Sequence, residues 1–331
     1  METDQYIGVD LHKSSFQVCA MTPRGERLWE ARFARTADGI EAFVSRCTWR
    51  SAVAVEATTP TWHFVDQITA RVATVCVVDT RKTKLKAGYA AKTDRLDARR
   101  LADALRRESV VSIYVPPPAI REQRELARHR LMLTQMRTRV LQRMRALLLR
   151  QGLGDPPTKR LRSAAGQAWL DALVLPPQAH RALTTLRQIE RDLCVQLKPV
   201  DTDIAREASA DPIVQRLQQV HGIGPVLGLM LRAEIGDIAR FPTPGHLASY
   251  AGLVPVVDSS AHRTRYGDIT KDGSPWLRWA LVEVGVQTLR RRDPVGRWGR
   301  KLAVRKGAMK AHVALAREMC REIMEMWRRA A

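Results

Sequence analysis

The sequence predicts an α/β domain followed by a mainly α-helical remainder. Short apolar runs, among them Tyr6-Ile7-Gly8-Val9 and Ala52-Val53-Ala54-Val55, recur between residues 6 and 78, with turn signals and helix-length segments between them. Pro116-Pro117-Pro118 breaks that pattern. Beyond it, apolar residues fall at spacings of three and four over long stretches, as amphipathic helices require.

The elements follow in order. Tyr6 to Val9 reads as a buried strand and Phe16 to Met21 as a second. Pro23-Arg24-Gly25 signals a turn, so Arg27 to Phe33 becomes the third strand of a meander. Thr36 has the side chain of a helix N-cap and precedes a segment with Ile40, Phe43 and Val44 inward. Val53 to Glu56 is a strand, Thr61 to Ala70 a helix, and Val72 to Val78 another strand. Asp94 to Arg107 is helical, with Leu96, Leu101, Ala104 and Leu105 inward, and Val110 to Val115 is a last strand before the prolines. Three strands in succession, then alternating helix and strand, is the order of a ribonuclease-H-like fold. Such folds place acidic residues on the first strand, a middle strand and a late helix.

The remainder divides in two. Ala119 to Gln151 reads as one long helix with an apolar seam of Leu133, Met136, Val140, Met144 and Leu147. It also carries Arg121, Arg124, Arg128, Arg130, Arg137, Arg139, Arg143, Arg145 and Arg150 against only Glu122 and Glu125, an excess of one sign that ordinary solvated helix faces do not show. Gly152 to Pro157 ends it, and a second long helix spans Gln178 to about Ala208, interrupted by Pro199. Two such helices can form an antiparallel coiled-coil arm. In the last part, His221-Gly222-Ile223-Gly224-Pro225 lies between helical segments and resembles the turn of a helix-hairpin-helix element, whose glycines permit a tight turn and whose free amides can hold a phosphate. An ordinary helix connection fits the same residues. Pro242 to Tyr250 is a short helix, Asp258 to Arg265 a polar segment, and Ser274 to Leu289 and Lys306 to about Arg329 are closing helices. The expected domains are residues 1–116, 117–210 and 211–331.

Charge narrows the function classes. The 331 residues contain 55 Lys and Arg against 34 Asp and Glu, a formal net charge of +21. Such a balance suits a polyanionic partner. No apolar run reaches the length of a membrane span, and Met-Glu-Thr-Asp lacks the basic and apolar regions of a signal peptide, so nucleic acid leads over membrane and a cytoplasmic, nucleoid-associated location is expected. The five cysteines, Cys19, Cys47, Cys76, Cys194 and Cys320, show neither zinc-ligand spacing nor a disulfide framework.

Within this basic chain, four carboxylates stand where they cost the fold something. Asp10 and Glu56 each end an apolar run, and Asp94 and Asp97 share one face at a helix start. A divalent cation relieves both their repulsion and their desolvation. Singly, each has a blander explanation: a strand-end turn residue, a cap at Asp94, an arginine partner for Asp97. Together, in this fold order, they point to a metal site for chemistry on phosphodiesters. His12 follows closely, but a histidine at such a place is more often structural than a ligand.

The motifs Gly8-Val9-Asp10, Val55-Glu56-Ala57-Thr58 and Lys92-Thr93-Asp94-Arg95-Leu96-Asp97-Ala98 look like a DEDD set. They are joined by His221-Gly222-Ile223-Gly224-Pro225, Ala251-Gly252-Leu253-Val254-Pro255, and Ser259-Ser260 upstream of Gly267-Asp268-Ile269-Thr270-Lys271-Asp272-Gly273. The ordered set resembles the IS-one-ten/IS-eleven-eleven insertion-sequence transposases, relatives of the Piv DNA invertases, over nearly the whole chain. The resemblance implies a RuvC-like N-terminal domain, a coiled-coil arm and a C-terminal transposase domain. It implies a recombinase with Mg²⁺ on Asp10, Glu56, Asp94 and Asp97, and with Ser260 (Ser259 being adjacent) as the nucleophile that forms a phosphoserine link to DNA. Ala261 stands where the family often has glycine. The resemblance further implies a structured bridge RNA that selects donor and target DNA, and strand exchange suits a dimer or tetramer. Lys82, Lys84, Arg263, Arg265 and Lys271 are candidate phosphate contacts, with solvated loop charges as the alternative. Two other functions compete: a Holliday-junction-type endonuclease, which needs the carboxylates and water only, and a non-catalytic nucleic-acid-binding protein.

Overall fold

The N-terminal apolar run forms β1 (Gln5–Leu11), paired antiparallel with β2 (Ser15–Met21), which pairs antiparallel with β3 (Arg27–Ala34). A tight turn joins the first two, with the His12 N–H donating to Ser15 O at 2.9 Å. The second turn contains Gly25 at φ +91°, a backbone conformation that favours glycine. Helix α1 (Ala37–Val44) starts at Thr36, whose hydroxyl accepts from the Gly39 N–H. Then come β4 (Ser51–Glu56), α2 (Thr61–Ile68), β5 (Thr74–Val78), α3 (Asp94–Arg106) and β6 (Ser112–Ile113). The six strands form one mixed sheet in the order β3-β2-β1-β4-β5-β6, with β4 parallel to β1 and to β5.

The structure is a computed structural model that describes residues 3–80, 82–83, 93–156, 160–260 and 263–330. The chain divides into two compact units, Met1–Val115 and Pro116–Ala331.

In the first unit, strand alternation sends Ile7, Val9, Leu11, Val53 and Val55 to one face of the sheet. There they pack with Phe16, Phe43, Phe64 and Ile68 under α1 and α2. Ala52, Ala54 and Val78 face the other way and meet Leu101 and Leu105 of α3. The strand expected over Val110 to Val115 pairs only at Ser112 and Ile113, because β5 offers just Val78 and Val77 as partners there.

In the second unit, α4 (Pro118–Arg150) and α6 (Pro177–Ala210) run antiparallel, with α5 (Ala164–Asp171) between them in the chain. Leu126 packs near Ile204 and Ala208, Leu133 with Leu193 and Leu197, and Met144 and Leu148 with Ala179 and Leu183. Met136, expected in that seam, is exposed instead. Not all of the arginines on α4 are free for a partner. Arg124 donates to the carbonyls of Ala233 and Glu234, Arg128 to the buried Glu234 carboxylate at 2.7 Å, and Arg130 to Asp201 at 2.9 Å. Arg139, Arg143, Arg145 and Arg150 are exposed.

The rest of the unit comprises α7 (Pro212–Leu217), α8 (Pro225–Ile235), α9 (Pro244–Tyr250), the hairpin β7 (Pro255–Ser260) and β8 (Arg263–Ile269), and α10 (Pro275–Thr288), α11 (Pro294–Lys306) and α12 (Ala308–Arg328). Proline opens most of these helices, at the first-turn position where its missing N–H costs nothing. Their core joins Leu231, Leu247, Leu281, Met319, Ile323 and Trp327. Among the described residues no helix is long and apolar enough to cross a membrane.

Candidate functional site

The carboxylates converge because of how β1, β4 and α3 pack. Side chains two apart on a strand share a face, so Gly8 and Asp10 look the same way, as do Ala54 and Glu56. Register places Val9 beside Val55, which puts Asp10 and Glu56 together at the C-terminal ends of neighbouring parallel strands. Gly8 decides how close α3 can come. A Cβ at Gly8 would stand 2.0 Å from Ala98 O, 2.5 Å from Ala102 N and 2.9 Å from Leu101 Cβ. The helix therefore rests on bare backbone, and its first turn, with Asp94 and Asp97, reaches the strand ends. Thr93 caps that turn by accepting from the Leu96 N–H at 3.3 Å. The positive end of the helix dipole adds modest support for acidic groups there.

Asp10 is buried. Its pKa is raised, first by desolvation and then by the charges of Glu56, Asp94 and Asp97, with His12 acting in the opposite sense. Glu56 is half-buried and accepts from the Thr80 hydroxyl at 3.0 Å. Asp97 pairs with Arg100 at 3.2 Å, the bland role open to it from sequence. Asp94 is half-exposed and points to His12, whose Nε2 lies 3.2 Å from Asp10 Oδ2 and 3.3 Å from Asp94 Oδ2. Sequence reasoning treated His12 as structural. Its signal was the alternation itself, since Gly8, Asp10 and His12 continue one face. Thr80, just beyond β5, carried no comparable signal.

One ligand atom each from Asp10, His12 and Asp94 lies within 4.8 Å of the others. Carboxylate oxygens and an imidazole nitrogen are ordinary donors to divalent cations. A carboxylate raised in pKa by burial, and further by its acidic neighbours, is what a bound cation would relieve. The donor set therefore fits a divalent ion.

The serine pair lies on β7, where Ser259 pairs with Thr264 and Ser260 with Arg263 across the hairpin. The side chains of Ser259, Ser260 and Arg263, like Lys84, lie outside the described residues. The base of the hairpin is clamped. Gly252 (φ +66°) and Gly273 (φ +89°) touch backbone directly, such that a Cβ would meet Asp272 O at 2.1 Å and Tyr250 O at 2.0 Å respectively. Thr270 N–H donates to Val254 O and Lys271 N–H to Gly252 O across the same base. The motifs flanking the serines thus have a mechanical reason. Arg265 and Lys271 are exposed, and Lys82 is exposed with its ammonium 3.9 Å from Asp79. At the other motif, Gly222 takes φ +90° between α7 and α8, the tight turn its residues suggested.

Comparison with known proteins decides the family. A model for DEDD transposases of the IS110 type matches residues 7–151, and one described as transposase IS116/IS110/IS902 family matches residues 214–298. A Pseudomonas aeruginosa protein named "Probable family 20 transposase" is 31% identical over 242 residues, 70% of each chain. The chain belongs to the IS116/IS110/IS902 transposase family. Other relatives of this transposase are the transposase for insertion sequence element IS1328 of Yersinia enterocolitica (27% identical, covering 84% of this chain and 81% of the relative) and that for IS1111A of Coxiella burnetii (26%, covering 96% and 87%). The protein is a DNA transposase, and DNA is its substrate.

Proposed function

We propose that this transposase cleaves and exchanges DNA strands through a phosphoserine intermediate, with Mg²⁺ held by Asp10, Glu56, Asp94 and Asp97. The reading is supported by Asp10 and Asp94 meeting at ligand distance beside His12, with Glu56 and Asp97 near enough for their charges to bear on Asp10, on a sheet of strand order 3-2-1-4-5. That order also supports a ribonuclease-H-like, RuvC-like assignment for the first unit. When bound, the ion neutralises phosphate charge and polarises the scissile bond.

Ser260 is the nucleophile. Its Oγ forms an ester bond to phosphorus as the bond from phosphorus to the leaving nucleotide oxygen breaks. The hydroxyl proton is lost from Oγ and the leaving oxygen gains one, so charge balances. The link conserves the phosphodiester, and rejoining needs no ATP. Arg263, Arg265, Lys271, Lys82 and Lys84 contact phosphates. The antiparallel α4–α6 pair serves as a coiled-coil arm in a dimer or tetramer. A bridge RNA, for which the net charge of +21 provides capacity, selects donor and target. Bacterial relatives support a cytoplasmic location, where the DNA lies.

The test is adduct formation on DNA carrying the element's ends, with the element's flanking non-coding DNA co-expressed. Parent protein is expected to give a protease-sensitive protein–DNA adduct, absent from Ser260→Ala. Cleavage that persists in Ser260→Ala without an adduct would instead identify a resolvase-type endonuclease. Sequencing of copurified RNA tests the guide, and random cellular RNA alone would remove it.

A further inference from the structure

We propose that His12 is a nitrogen ligand of the ion, and that it biases this site toward Mn²⁺ over Mg²⁺. The inference rests on the metal-site reading above and deepens it. The four acidic positions make an all-oxygen site, the type suited to Mg²⁺. This chain adds an imidazole to it.

Three observations place His12 there. First, it continues the alternation of Gly8 and Asp10, so its side chain returns to the face covered by α3. Second, its backbone is fixed. The His12 N–H donates to Ser15 O, the Arg35 N–H to Ser14 O and Arg35 Nε to Lys13 O at 2.7 Å, which ties the turn to the end of β3. Third, Nε2 stands 3.2 Å and 3.3 Å from one oxygen each of Asp10 and Asp94. Adjacent ligands around an ion with bonds of about 2.1 Å stand roughly 3 Å apart. The spacing is already that of a coordination edge, and the two oxygens converge on the same nitrogen. Mn²⁺, though the weakest binder of the first-row divalent ions, accepts an imidazole nitrogen beside carboxylates more readily than Mg²⁺, which strongly prefers oxygen and keeps its waters. A ring nitrogen therefore raises affinity for Mn²⁺ more than for Mg²⁺.

The experiment uses the full chain loaded with Mn²⁺ and reads electron spin-echo modulation together with binding isotherms for Mn²⁺ and Mg²⁺. Imidazole ligation predicts ¹⁴N modulation in the parent protein, lost in both His12→Ala and His12→Gln. It also predicts a fall in Mn²⁺ affinity of about tenfold or more, with a smaller fall for Mg²⁺. Circular dichroism shows that each variant is folded; the half-exposed turn position makes that the expected result. Asp10→Asn is the control for the underlying site. Mn²⁺ bound in an Asp10-dependent way but without ¹⁴N modulation, and with unchanged affinity in His12→Ala, overturns the His12 proposal and leaves the carboxylate site standing. Binding that ignores Asp10→Asn overturns the metal-site reading and this inference with it.

Discussion

Gly8→Ala is the most direct probe of how the fold builds the site. The new methyl would stand 2.0 Å from a carbonyl oxygen of α3, whereas ordinary contact begins at 3.4 Å. The obstructing atoms are helix backbone, which no rotamer change can move. The helix must retreat by about 1.4 Å or tilt, since repulsion rises steeply inside contact. Overpacking of this kind costs about 1–3 kcal/mol, or more where backbone is involved. In a unit of this size that lowers the melting temperature by roughly 4–12 °C. The retreat also carries Asp94 and Asp97 away from Asp10 and Glu56, and a misplacement of about 1 Å at reacting groups can cost on the order of 100-fold in rate. The assay pairs calorimetry with single-turnover DNA cleavage. Val9→Ala is the matched control: Val9 is buried on the opposite face, so it loses a comparable 2 kcal/mol or so without moving α3. Gly8→Ala should lose far more cleavage than Val9→Ala at similar stability. Equal cleavage losses in the two variants, or a Gly8→Ala protein that melts and cleaves like the parent, would refute the seating of α3 on Gly8.

Other outcomes follow from the same geometry. Asp10→Asn should lower cleavage by more than about 100-fold. Because the Asp10 pKa is raised, the native state binds this proton more tightly than the unfolded chain, and stability falls as pH rises through the folded value. The variant should therefore melt higher than the metal-free parent at neutral pH, with a smaller gap in acid. Glu30 has the opposite sign. Its hydrogen bonds from Arg99 lower its pKa, giving stability that is present at neutral pH and lost as pH falls through the depressed value. Glu30→Gln should thus melt below the parent at neutral pH and converge with it in acid, as read by calorimetry across that range. Arg128→Ala removes the counter-ion of the Glu234 carboxylate, whose side chain is 2% exposed and keeps its bond from the Ser274 hydroxyl, and should cost roughly 3 kcal/mol in urea denaturation. The double variant Arg128→Met, Glu234→Leu should recover much of that loss.

Much of the fold was legible because its signals are local. Thr36 was readable as a cap and accepts from the Gly39 amide; at α3 the sequence offered Asp94 as the cap, but Thr93 takes that role, and Ser274 caps α10. The apolar runs of β1, β2 and β4 are long enough that burial leaves little choice. The β7–β8 hairpin was read only as a polar segment, because Asp258-Ser259-Ser260 and Arg263-Thr264-Arg265 lack an apolar face to reveal a period of two. Helix α11 was missed although Asp293 caps it and Pro294 opens it; Gly296 and Gly299 lower its intrinsic propensity, and its Arg and Lys residues mask its periodicity. Arg124 and Arg128 looked like ligands for a polyanion because their partners on α8 lie about a hundred residues away in the chain. The four carboxylates stood out by their positions at strand ends and a helix start, and of them Asp10 and Asp94 meet at ligand distance. His12 was passed over because it lies one residue past the end of β1, where the alternation of Gly8 and Asp10 need not continue.

The placement of Asp94 and Asp97 on α3 also sets an order of events. Asp10 and Glu56 take their positions when the first strands pair, but the acidic group is incomplete until a helix formed some forty residues later settles onto Gly8. A nascent chain emerging from the ribosome with only its early strands folded would hold half of the set. Shortened products ending before residue 93 would carry Asp10 and Glu56 without Asp94, Asp97 or the serine hairpin, and should cut nothing.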